Sequence, residues 1–218
     1  MRKLMLFFTA LMLTLGVKAQ EGSTVAERGA AKGYYSFAAE VTEMVKITSL
    51  DQLEDNMPIM IKHSHDGVSG VDHEGHYLTI YSLPTYGAAH IVFMQNKPVG
   101  VGVWTTAVVN ATEGTYKLKS EHMMVKGGDA KCYLGILGEG NSTGAVLKTT
   151  GMDGYEGIYK FVVAADGSGR WNLQCTNSKN QKYLAVVQKD GTATIVEESG
   201  VTTQTYFDIY RVVTKSEA

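Results

Sequence analysis

Beyond Val17 this chain has no apolar run long enough to cross a bilayer as a helix, which argues against a membrane span. Nor does any block of basic residues stand out, so nucleic acid is not an expected partner. Cysteine is equally sparse. Cys132 and Cys175 are the only two in 218 residues. A disulfide between them is permitted in an oxidising compartment, but nothing in their spacing brings them together. A domain of this size buries a core without such staples. No catalytic motif survives a test of its local context, and no cofactor is implied.

What the N-terminus does contain is a leader. Met1-Arg2-Lys3 is a short basic start, Leu4 to Val17 is apolar, and Val17-Lys18-Ala19 puts small residues where a signal peptidase reads. That layout predicts a secretory signal over residues 1–19, cut before Gln20. No cysteine comes next to carry a lipid, so the mature protein is expected to be secreted or periplasmic. Removing Arg2, Lys3 and Lys18 from the 20 basic residues leaves 17 against 22 acidic, a balance of −5.

The mature chain repeats itself three times. Three segments alternate apolar and polar residues, as a half-buried strand requires: Ile59 to His63, Tyr116 to Ser120, and Trp171 to Cys175. Each is followed by a Tyr-Leu pair opening a second strand, Tyr77-Leu78, Tyr133-Leu134 and Tyr183-Leu184. A third strand starts at Ala89, Ala145 and Ala193, and a fourth carries an aromatic residue: Trp104, Tyr159 with Phe161, and Tyr206 with Phe207. One such match could be chance. Four in the same order in three copies define an internal repeat.

The expected fold class is therefore all-β. Each four-stranded unit alone exposes its apolar face, whereas three around an axis close a barrel and share one core. The Tyr-Leu step, the closing aromatic and the threefold period resemble ricin-type and related β-trefoil domains over residues 46–213. The repeats run over about 57–113, 114–168 and 169–213. Ahead of them, Ser49 with Gln52 three residues on predicts a capped helical turn. Residues 20–45 read as an N-terminal extension, with a Gly- and Ala-rich tether to Gly33 and a short amphipathic helix favoured over a strand for Tyr34 to Val45.

Two motifs suggest chemistry. Gly140-Asn141-Ser142-Thr143-Gly144 has the spacing of a nucleophile elbow, but Ala145 to Thr150 is strand-like where the elbow needs a helix. It reads as a hairpin loop. His63, His65, His73 and His76 fall close together among Asp66, Asp72 and Glu74. Imidazole and carboxylate suit a transition metal, although the spacing is not that of a helical zinc protease. The alternative is a polar loop with incidental histidines. Trp104 and Trp171, at equivalent strand positions, are expected in the core.

The resemblance to sugar-binding trefoils implies a shallow site on the loops before the second strands. Those loops offer Asn177, Lys179 and Asn180 in the third copy, and Lys126 and Asp129 in the second. The Gln-x-Trp signature of ricin-type repeats is lost as a set: its nearest equivalents are Gly102-Val103-Trp104, Gly157-Ile158-Tyr159 and Gln204-Thr205-Tyr206. Three readings remain open: a non-catalytic glycan-binding module, a module for an extracellular protein partner, and a metal site on the histidines.

Overall fold

In the computed structural model, residues 40–64, 75–81, 90–95, 102–120, 133–136, 147–150, 156–177, 182–186, 193–202 and 205–215 are described. Among them are thirteen strands: β1 (Glu40–Ile47), β2 (Pro58–His63), β3 (Tyr77–Tyr81), β4 (His90–Gln95), β5 (Val103–Asn110), β6 (Thr115–Lys119), β7 (Tyr133–Ile136), β8 (Leu147–Thr150), β9 (Tyr159–Val163), β10 (Trp171–Cys175), β11 (Lys182–Val186), β12 (Ala193–Val196) and β13 (Phe207–Lys215). The twelve from β2 onward are the three sets of four that the repeat implies.

Six of these strands close a ring. β2 pairs with β5, β5 with β6, β6 with β9, β9 with β10, β10 with β13, and β13 with β2, all antiparallel. No strand of the ring has a free edge, which removes the liability of open sheets. The remaining strands form hairpins β3–β4, β7–β8 and β11–β12. β4 pairs with β8, and β12 lies against both, so the hairpins meet over one end of the barrel.

Period-two alternation fills the interior. Ile59, Ile61 and His63 on β2, Tyr116, Leu118 and Ser120 on or just after β6, and Trp171, Leu173 and Cys175 on β10 are all buried. The cross-strand partners around the ring differ from copy to copy: Ile59 opposes Trp104, Tyr116 opposes Tyr159, and Trp171 opposes Phe207. The Phe161 ring meets Tyr116 and Trp171 edge-on, with centroids 5.3 and 6.1 Å away, a favourable aromatic geometry.

The three closing aromatics differ at their polar tips. Trp104 Nε1 donates to the Leu78 carbonyl at 3.1 Å. In the second copy the corresponding Leu134 carbonyl accepts from Gly157 N at 2.9 Å, and the buried Tyr159 hydroxyl has no hydrogen-bond partner among the described residues. Phe207 has no polar tip. Gly157 is required there, because a Cβ would lie 2.5 Å from Tyr159 Oη. The third copy, with phenylalanine, holds Thr205 at that position. The cross-strand register makes Thr205-Tyr206-Phe207 the counterpart of Gly102-Val103-Trp104. That shifts the sequence assignment by one residue and leaves no copy with the glutamine.

The lead-in closes the other end of the barrel. A 3-10 turn at Leu50–Gln52 forms where expected, with Gln52 Oε1 accepting from Thr48 N at 2.8 Å and Ser49 N at 3.2 Å. Ile47, Leu53 and Met57 are buried in the main core. Trp171 Nε1 donates to the Ile47 carbonyl at 2.9 Å, and Thr106 Oγ1 donates to the Glu54 carbonyl at 2.6 Å.

Residues 40–45 correct the expected helix. They belong to β1, which lies antiparallel to β13 from Glu40↔Lys215 to Ile47↔Ile209. Val41, Thr42, Val45 and Ile47 are β-branched residues that favour a pleated surface once a partner strand is present. Residues 34–39 lie outside the described residues.

Candidate functional site

The outer face of the first copy is built from cross-strand rows. Asp208 lies opposite Lys62, and Lys62 opposite Tyr77. The next row runs from Lys46 to Tyr210, Met60 and Val103. Met60, Val103 and Val212 are buried and form a second, small apolar cluster, with Val41, Met44, Tyr77 and Tyr210 packed against it. β1 supplies Val41, Met44 and Lys46. The added strand therefore does more than extend the sheet: it builds one wall of this bed.

Polar groups rim the bed. Lys46 Nζ sits 2.7 Å from Asp208 Oδ1, with the lysine 36% and the aspartate 13% exposed at the side chain. Lys62 Nζ lies over the Tyr77 ring, 5.6 Å from its centroid, within cation–π range. Tyr77 and Tyr210 are half-buried. Burial raises the Tyr77 pKa. The Tyr210 pKa is raised by burial first, then by the negative charge of Asp208 and by Tyr77. Both phenols therefore keep their protons at neutral pH and can donate.

The other two copies reduce this arrangement. Their rows read Thr105, Lys119, Tyr133 and Lys160, Gln174, Tyr183. The half-buried tyrosine recurs each time. Where the first copy pairs Met60 with Tyr210, the second pairs Lys117 with Ala107 and the third Asn172 with Val162. Lys117 Nζ lies over the Tyr133 ring at 5.6 Å and 3.9 Å from Glu156 Oε1. Two tyrosines on an apolar bed occur in the first copy alone among the described residues.

The residues singled out from sequence fall elsewhere. Asn177 is a clamp. Its Oδ1 accepts from Ile158 N at 2.8 Å and from Cys175 Sγ at 3.2 Å, and its Nδ2 donates to the Glu156 carbonyl at 2.7 Å. Most of its amide is thus committed to backbone. Lys179, Asn180, Lys126 and Asp129 lie outside the described residues, as do His65, His73, Ser142 and Cys132. His63 is buried in the barrel wall, its ring 6.0 Å from that of Phe207. His76 is half-buried, and its carbonyl accepts from His63 N at 2.7 Å. Among the described residues, no three His, Cys, Asp or Glu side chains converge on a metal position. Trp104 and Trp171 are fully buried, as expected of core residues.

Sequence reasoning missed Tyr210, Lys46 and Asp208. Only the Tyr-Leu repeat pointed to this face, through Tyr77.

No family model matches the chain, and no curated protein matches it by sequence. Solved structures do. A salivary protein from Culex quiquefasciatus of the Cysteine and Tryptophan-Rich (CWRC) family superposes with a TM-score of 0.51 at 14% identity, over 72% of this chain and 94% of that one. A structure described as the BEL beta-trefoil, in an apo crystal form, gives a TM-score of 0.50 at 12% identity, over 78% of this chain and all of that one. At such identities the likeness carries the fold alone. With the closed six-stranded ring and its three hairpins, it establishes this chain as a β-trefoil.

Proposed function

We propose that this protein is an exported, non-catalytic binding module whose ligand is a glycan, held on the outer face of the first copy. One observation carries the reading: Tyr77 and Tyr210 lie half-exposed on an apolar bed, with Lys46, Lys62 and Asp208 around them. A sugar presents an apolar C–H face and a rim of hydroxyls. A shallow aromatic surface with a few placed polar groups matches both parts. The resemblance of the repeats to ricin-type domains points the same way, and the leader over residues 1–19 supports export.

A broad glycan array on the mature chain, with and without EDTA, tests the reading. Binding that survives EDTA and falls at least tenfold in Tyr210→Ala is the expected result. Binding lost with EDTA would move the ligand to a metal-assisted site. No binding in either condition would overturn the reading.

A protein partner is favoured by one other feature. Among the described residues, β1 ends the strand order and pairs with β13 alone. Its outer edge therefore offers main-chain donors and acceptors, which is where an extended segment of another protein adds a strand.

A further inference from the structure

We infer that the ligand of this face is acidic: a sugar bearing a carboxylate or sulfate, whose anionic group is held by Lys62 and the two phenols. The inference rests on the glycan reading above and narrows its chemistry.

The deciding feature is charge balance. Lys46 and Asp208 form an ion pair at 2.7 Å, which balances the charge of the site's carboxylate although its buried Oδ1 is not in hydrogen-bond geometry. Lys62 stands between Asp208 and Tyr77 in the row. Among the described residues it makes no ion pair, and its ammonium rests on the Tyr77 ring. Among the described residues the face therefore carries one positive charge more than it has negative ones. Glu43 does not cancel it. Glu43 pairs with Val213, whereas Lys46 pairs with Tyr210, and alternation puts these two pairs on opposite sides of the β1–β13 ribbon.

The surrounding donors suit an anion too. Both phenols are protonated at neutral pH, because the ordinary value of 10.0 already lies well above it and burial raises it further. An ammonium has donors only and each phenol O–H can turn to donate, so all three can point hydrogens at a carboxylate or sulfate, and bonds to an ionised acceptor are the stronger kind. Asp208, already paired, is left to accept a sugar hydroxyl. The second copy keeps a lysine in that place, Lys119 between Thr105 and Tyr133, and pairs Lys117 with Glu156 at 3.9 Å, but it has Ala107 where the first copy has Tyr210 and so lacks the second phenol. The third has Gln174 in the place of Lys62.

The test uses two probe pairs that differ in little but charge: a galacturonic acid oligomer with its methyl ester, and sialyllactose with its methyl ester. Calorimetry at low and high salt measures each. The acidic member of at least one pair should bind at least tenfold tighter, and high salt should erode that advantage, as screening demands. Lys62→Gln installs the residue that the third copy carries, so the fold should tolerate it. In that variant the acidic and neutral members should bind alike. Equal affinity of acid and neutral forms in both pairs, or a preference that persists in Lys62→Gln, would overturn the acidic-ligand inference and leave the glycan reading standing. Failure of every probe here, together with a blank array, would overturn both.

Discussion

On β2 the inward residues are Ile59, Ile61 and His63, and the outward ones Met60 and Lys62. On and just after β6 the inward set is Tyr116, Leu118 and Ser120, and the outward pair Lys117 and Lys119. The inward sets differ in every residue yet play the same part, because each must complement its closing aromatic: isoleucine against Trp104, tyrosine against Tyr159. The outward sets share one motif, a lysine beside a half-buried tyrosine, and then part. The first copy adds methionine, a second tyrosine and a whole extra strand. Constraint on the interior is collective, since total volume must be conserved. Constraint on the exterior is local, so one copy can change without disturbing the others.

Breaking the interior should have the largest effect. Trp104→Ala is expected to cost about 3–5 kcal/mol, the usual range for deleting a buried indole, and denaturant unfolding would measure it. A loss under ~1 kcal/mol would mean that the barrel collapses around the gap and that the layers are not collective. Converting the first face towards the second comes next. Met60→Lys copies Lys117, but beneath Tyr77 and Tyr210 the ammonium has no water and no carboxylate of its own. A loss of about 2 kcal/mol or more is expected. An unchanged unfolding midpoint would show that the bed is open to water rather than closed.

Alkali should act more gradually. Burial raises the pKa of Tyr77, Tyr159 and Tyr210, with Asp208 and Tyr77 adding to Tyr210 and Cys175 to Tyr159. The unfolded chain releases these protons near the ordinary value of 10.0, and the folded one holds them longer. Stability is thus fully present below about pH 10 and declines as pH rises through the folded values. Tyrosinate absorbance followed alongside unfolding would check this, and a flat profile to strong alkali would count against the burial of the phenols. The smallest effect tests the polar tips. Tyr159→Phe removes a hydroxyl with no partner among the described residues and should be neutral or stabilise by up to ~1 kcal/mol. A marked loss would reveal that Tyr159 Oη bonds a group outside the described residues.

Most of the fold was legible because it is written in local periods. Alternation and the Tyr-Leu step locate a strand wherever its neighbours are, and all twelve barrel and hairpin strands fall where those signals lie. β1 was not legible. Its short pattern fits a helix or a strand, and its partner is more than 160 residues away, Thr42 Oγ1 donating to the Val213 carbonyl at 3.1 Å. The closing aromatic of the third copy was misplaced by one residue because Tyr206 and Phe207 are adjacent. Only burial separates them: Phe207 is fully enclosed, while Tyr206 lies half-exposed with the Arg170 guanidinium 4.5 Å above its ring. The site was hidden for a related reason. Lys46, Lys62, Tyr77 and Tyr210 lie on four different strands, and no local pattern encodes the register that brings them side by side.

The union of β1 with β13 also governs how the chain reaches its native state. The first described strand pairs with the last, and β2 and β10 likewise await β13. During synthesis from the N-terminus, two-thirds of the barrel can be made with its ring still open. Contacts of such sequence separation carry a large loop-closure cost and slow the final step. Until then the incomplete ring exposes unpaired edges and apolar surface, the features that lead to aggregation. A chain cut short before Phe207 would lack its keystone and should fail to fold as a unit, however well its first two copies are formed.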